Sequence, residues 1–141
     1  MSTSAAARAL TLVGSIFLLV ALVIAAAAWP PLAGPSTLLH DLVAWPLDNG
    51  TDLGAAETRL LSAILGGVFA GLSAMLILVV APALRRGDDR VRRGVIASLL
   101  VWFAIDSAGS VAAGAPSNVM FNVGFLAMAL APLVLVRRES A

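Results

Sequence analysis

Asp106 stands inside a stretch of apolar sequence, with Ser107 beside it and Ser110 four residues on. At that spacing Asp106 and Ser110 share one face of a helix, while Ser107 points about 100° away. Beyond Gly114-Ala115-Pro116, Asn118 and Asn122 repeat the same interval, and upstream Glu57 and Arg59 open another apolar stretch. Such a set can hydrogen-bond, form an ion pair, recognise a polar group or pass a proton. It does not suggest an enzyme. No carboxylate pair has a hydrolase spacing and no nucleophile has an identifiable base. With no cysteine in the chain there is no thiolate and no sulfur-built metal site. His40 alone cannot make a metal site, and Met75, Met120 and Met128 read as packing residues. No cofactor and no metal is expected.

The elements that must position these residues are defined by their solvent. The chain has 141 residues, 60% hydrophobic and 12% charged, with a mean hydropathy of +0.99. Soluble domains average ~25% charged residues. Four apolar runs, at 9–29, 57–84, 94–113 and 117–136, each match the ~20 residues needed to cross a ~30 Å hydrocarbon core. The expected fold is all-α, a single membrane domain over 1–141 built as a transmembrane four-helix bundle. The first run exceeds the ~7–15 residues of a signal-peptide core, so it reads as an uncleaved span.

Proline and glycine punctuate the chain. Pro30, Pro31, Gly34 and Pro35 close the first helix. Ser36–Trp45 then predicts a short interfacial helix in the first outer loop, with Leu38, Leu39, Leu42 and Val43 as its apolar stripe and His40 and Asp41 facing away. Asn49-Gly50 predicts a turn, and Asn49-Gly50-Thr51 matches a glycosylation sequon by chance. Pro82 predicts a kink near the end of the second span. The very short Gly114–Pro116 link makes the third and fourth helices antiparallel neighbours.

Arginine sets the orientation. The chain has nine basic residues, all arginine. Arg8, Arg85, Arg86, Arg90, Arg92, Arg93, Arg137 and Arg138 fall on one side of the spans and Arg59 alone on the other, which places both termini in the cytoplasm. The basic residues hug membrane boundaries and accompany no nucleic-acid reader module, so nucleic acid is not an expected partner. The lipid bilayer is, together with a membrane-protein partner or a second copy. The abundance of Ala, Val, Leu and Arg without Lys, Tyr or Cys matches a bacterial inner-membrane protein.

Asp106 lies 13 residues beyond Arg93, about 20 Å along the helix from the arginine side at ~1.5 Å per residue. A central aspartate costs ~2.5–3.5 kcal/mol on the insertion scale, so it should face the bundle interior. Glu57, Arg59, Asp106, Ser110, Asn118 and Asn122 share a depth and form one expected cluster, with Arg59 as the partner of Asp106. The cluster serves either as a polar clamp between helices or as a ligand site. On the second span, Ser62, Gly66, Ala70 and Ala74 form one small-residue row, and Ala63, Gly67 and Gly71 a second. Gly66, Gly67 and Gly71 are the expected points of close helix approach.

Three segments carry a resemblance: Trp45–Asp48 (WPLD), Glu57–Leu76 (ETRLLSAILGGVFAGLSAML) and Trp102–Leu126 (WFAIDSAGSVAAGAPSNVMFNVGFL). They resemble small four-span bacterial membrane proteins of uncharacterised function and, more distantly, the DoxX-like four-helix membrane proteins. The resemblance implies a four-helix bundle and carries over no activity. The function expected is a structural or accessory inner-membrane protein. One alternative is binding or transport of a small polar or amphiphilic ligand through the outer-facing cluster. A further alternative, implied only by the DoxX-like resemblance, is a quinone-linked oxidoreductase subunit.

Overall fold

The computed structural model describes residues 1–47 and 53–136, and all regular structure in them is helical. Helix α1 spans Thr3–Ala26. It begins earlier than the apolar run because Ser2 caps it, the Oγ accepting from the Ala5 amide at 3.2 Å. A single 3-10 turn, Pro30–Leu32, leads to α2, Gly34–Ala44. Helix α3 runs over Ala56–Arg85. Its continuity is broken at Leu76–Val80 by a π turn in which Ala81 donates back to Leu76. Pro82 has no amide hydrogen to continue the ladder, and the wider turn just before it absorbs that defect.

Helix α4 is Asp89–Ala112 and α5 is Asn118–Val134. Asp88 starts α4, its Oδ1 accepting from the amides of Arg90 (3.0 Å) and Val91 (3.1 Å). That cap draws the helix start ahead of the apolar run, to Asp89. Gly87 and Gly114 end α3 and α4 at φ of 73° and 81°. In each, the glycine amide and the next one return to two carbonyls of the last turn, Leu84 and Ala83 or Val111 and Ser110. The Asn49-Gly50 turn and sequon, and Arg137 and Arg138, lie outside the described residues.

Three helices, α1, α3 and α4, are long and apolar enough to cross a membrane, and α5 is a shorter apolar helix of 17 residues. Helices α1 and α3 pack along most of their length. The buried positions of α1 include Ala7, Leu10, Gly14, Phe17 and Ala21, a spacing of three and four that keeps one seam on the partner helix. The seam of α3 uses Ser62, Gly66, Ser73, Leu76 and Val80. A Cβ on Gly66 would lie 2.6 Å from the Ala25 amide nitrogen and 2.8 Å from the Ala21 carbonyl oxygen. This is the closest of the glycine contacts. Gly14 meets Ile77 and the Ser73 carbonyl in the same way.

Gly67 and Gly71 do not share this role. Both are exposed, and a Cβ on either meets nothing within 4 Å. A step of one residue turns a helix by about 100°, so the second small-residue row faces away from α1.

Helices α4 and α5 form a second antiparallel pair across the short turn. At the arginine end the two pairs meet: α3 beyond Leu76 touches α4, and α1 packs on α5. There, Arg92 bridges Asp89 at 3.1 Å and donates to the Leu133 carbonyl at 3.2 Å, while the Met1 ammonium donates to the Leu135 carbonyl at 2.8 Å. Two carbonyls at the end of α5, which no helix amide can satisfy, thus meet positive charge. At the opposite end, Ala56–Met75 makes no substantial contact with α4. The pairs therefore diverge, and α2 crosses the gap between α1 and α5.

Candidate functional site

The short turn after α4 brings the first turns of α5 back alongside the last turns of α4. Asn118 and Asn122, one turn apart, then face Asp106, Ser107 and Ser110. Oδ1 of Asp106 accepts from Asn122 Nδ2 at 2.9 Å, Asn118 Nδ2 at 3.1 Å and Ser110 Oγ at 3.2 Å. The Ser110 hydroxyl also reaches the Asp106 carbonyl at 2.8 Å and accepts from Asn118 Nδ2 at 2.8 Å. Asn122 Nδ2 further donates to Ser107 Oγ at 3.2 Å. Only the amide nitrogen can donate to a carboxylate, which fixes the orientation of both asparagines.

Four of the six residues expected in the cluster are therefore together: Asp106, Ser110, Asn118 and Asn122. Glu57 and Arg59 are not with them. Glu57 is exposed in the first turn of α3, where a carboxylate favours the helix dipole. The Arg59 guanidinium donates to the Gly54 carbonyl just ahead of its own helix and forms no ion pair with Asp106. The α3 terminus diverges from α4, so equal depth does not bring the two side chains together. Ser107 joins through Asn122 instead, because α5 lies between the two faces that Ser107 and Asp106 present.

Beside this network the diverging helix pairs enclose a cavity of about 330 Å³, within the ~300–1,000 Å³ of small-molecule sites. Asp106, Asn118 and Asn122 form its polar wall. Val20 and Ile24 of α1 and Leu65, Val68 and Leu72 of α3 supply apolar walls, and Trp102 stands one helical turn from Asp106. Phe69 and Phe125 line it as well. They pack with Phe17 in a three-ring cluster, centroids 5.0–5.6 Å apart, with Phe125 edge-on to both other rings and Phe17 tilted on Phe69. Leu65 and Val68 are also exposed on the outside of α3, so this side of the cavity borders the gap toward α4.

Helix α2 roofs the cavity with Leu39, His40 and Val43. It is tied down at both ends, the Ser36 hydroxyl donating to the Val23 carbonyl and the Ser117 hydroxyl to the Val43 carbonyl. The expected stripe of Leu38, Leu39, Leu42 and Val43 is only partly the inward face, Leu39 and Val43 lying on the cavity. Leu38 is exposed, Ser36 and Asp41 are buried, and His40 lies on the cavity. Two hydroxyl tethers to main-chain carbonyls set this rotation, and a hydropathy pattern carries no trace of them. His40, set aside as a lone histidine, was thus missed, as were Trp102, Ser36 and Ser117. The Nδ1 of His40 is 2.7 Å from the Ser36 carbonyl. A carbonyl only accepts, so Nδ1 carries the hydrogen of this bond.

Among the described residues no group of three or more His, Cys, Asp or Glu side chains is arranged to hold a metal ion. No family model, curated protein or solved structure matches the chain.

Proposed function

We propose that this chain is a four-span inner-membrane protein that binds or passes a small amphiphilic ligand through the cavity roofed by α2. The observation that carries the proposal is a cavity of ligand size with one polar wall, Asp106–Asn118–Asn122, a histidine in its roof and a mainly apolar remaining lining. Helix α5, at 17 residues, is about 26 Å long at ~1.5 Å per residue and serves as the fourth, shortest span. With Arg85–Arg93 in the cytoplasm, as arginine asymmetry requires, α2 and the cavity lie toward the outer face.

A structural or accessory role is the second reading, favoured by the convergence of three donors on one oxygen of Asp106. Interhelical hydrogen bonds of this kind average only ~0.6 kcal/mol, yet they fix register and rotation. Filling the cavity separates the two readings. Val20→Phe and Val43→Phe each push a ring into the cavity and leave the hydrogen-bonded network alone. Native mass spectrometry of protein released from its own membranes should show a small-molecule adduct on wild type that both variants lose. Bare wild-type protein, with variants equally or more heat-stable, would establish the structural role in its place.

A further inference from the structure

The cavity's polar wall is chemically one-sided. Asn118 and Asn122 spend their amide hydrogens on Asp106, Ser107 and Ser110, and all three donors to Asp106 converge on Oδ1. What remains is Oδ2 of Asp106 and the amide oxygens of Asn118 and Asn122, none of which meets a donor among the described residues. No buried polar side-chain atom among them lacks a partner, so these free oxygens are not sealed in protein. They belong to residues that line the cavity. Across from them, His40 holds its Nδ1 hydrogen on the Ser36 carbonyl. Among the described residues, Asp106 and His40 are the only titratable ones on the lining, and no arginine is there. The polar wall thus offers three acceptor oxygens, one of them on a carboxylate, and its own donors are already used.

We propose that the ligand is an alkylammonium amphiphile, a protonated amine on an apolar chain, whose N–H groups bond Asp106 Oδ2 and the asparagine carbonyls. This deepens the ligand-binding reading above and rests on it. An ammonium has donors and no acceptor, and its positive charge pairs with the carboxylate in a low-dielectric site, where charge-assisted hydrogen bonds are about twice as strong as neutral ones. An anionic head would meet the carboxylate and unpaired acceptors, and would be repelled. The apolar chain leaves along Leu65, Val68 and Leu72, where the outer half of α3 does not close against α4.

The test uses Trp102 as a reporter, with Trp29 and Trp45 changed to Phe. The protein, in discs of zwitterionic lipid, is titrated with decylamine, decanol and decanoate, each brominated at mid-chain so that it quenches a nearby indole. The amine should quench saturably, with half-quenching at a mole fraction about tenfold below that of the alcohol, equivalent to ~1.4 kcal/mol. Decanoate should show no saturable phase. Asp106→Asn keeps an acceptor for the three donors but turns an NH₂ toward the cavity, so the amine's advantage should vanish while alcohol quenching persists. Equal affinity for amine and alcohol, saturable binding of decanoate, or an amine preference that survives Asp106→Asn would overturn the proposal. If no probe saturates, the ligand-binding reading falls with it; saturation indifferent to the head overturns this inference alone. The wild-type rank order decides the matter should Asp106→Asn fail to fold.

Discussion

At the scale of single residues, Asp106 shows how an apolar helix holds a carboxylate with no cation beside it among the described residues. Three neutral donors meet Oδ1, so the cost of desolvation is offset locally, on the two helices that the short turn already joins. Arg59 is not needed for this, its guanidinium being engaged by the Gly54 carbonyl. Arg59→Ala should therefore change stability by no more than about 0.5 kcal/mol, as for other surface sites. In a double-mutant cycle with Asp106→Asn, thermal melts in detergent should give additive effects. A coupling of 1 kcal/mol or more, the ~0.5–3 kcal/mol range of contacting residues, would show that the two side chains meet after all.

At the scale of elements, the α1–α3 seam depends on one glycine row and not on its neighbour. Gly66→Ala already places a Cβ against the main chain of Ala21 and Ala25, atoms that cannot rotate aside. The helices must separate, and overpacking of this kind costs ~1–3 kcal/mol. Gly67→Ala and Gly71→Ala add a methyl to an open face and gain helix propensity, ~1 kcal/mol per glycine replaced. Melting temperature in detergent should fall for Gly66→Ala and hold or rise for the other two. A loss of stability at Gly67 or Gly71 would mean that their face is covered by another copy or another protein. Both glycine rows are visible in the sequence; the rotation of α3 about its axis, which decides between them, is set by the whole seam from Ser62 to Val80.

At the scale of the whole molecule, the two helix pairs are fastened at the arginine end and spread at the other. The fastened end carries Arg92 on Asp89 and on the Leu133 carbonyl, and the Met1 ammonium on Leu135. The spread end carries the cavity and its roof. In the four-span reading proposed above, the distribution of arginines puts the fastened end in the cytoplasm and the spread end outside. Reporter fusions after Arg90 and at the C-terminus should read cytoplasm, and one after Leu47 should read outside. An outside signal from either of the first two would overturn the proposed four-span arrangement, and with it the proposed outer location of the cavity.

The sequence by itself determined what depends on composition and near neighbours. Runs of apolar residues dictate helices in lipid, because every main-chain polar group must be satisfied within its own segment. The i,i+4 pairs Asp106–Ser110 and Asn118–Asn122, joined by a short turn through Gly114–Pro116, lie on antiparallel neighbours and face one another. Tertiary structure alone decided the rest. It separated Arg59 from Asp106, chose Gly66 over Gly67 and Gly71, and rolled α2 so that His40 faces inward. It also opened a cavity where α3 and α4 part. Each of these is a matter of helix rotation and divergence, fixed by contacts between segments distant in the chain, which a hydropathy period leaves undetermined.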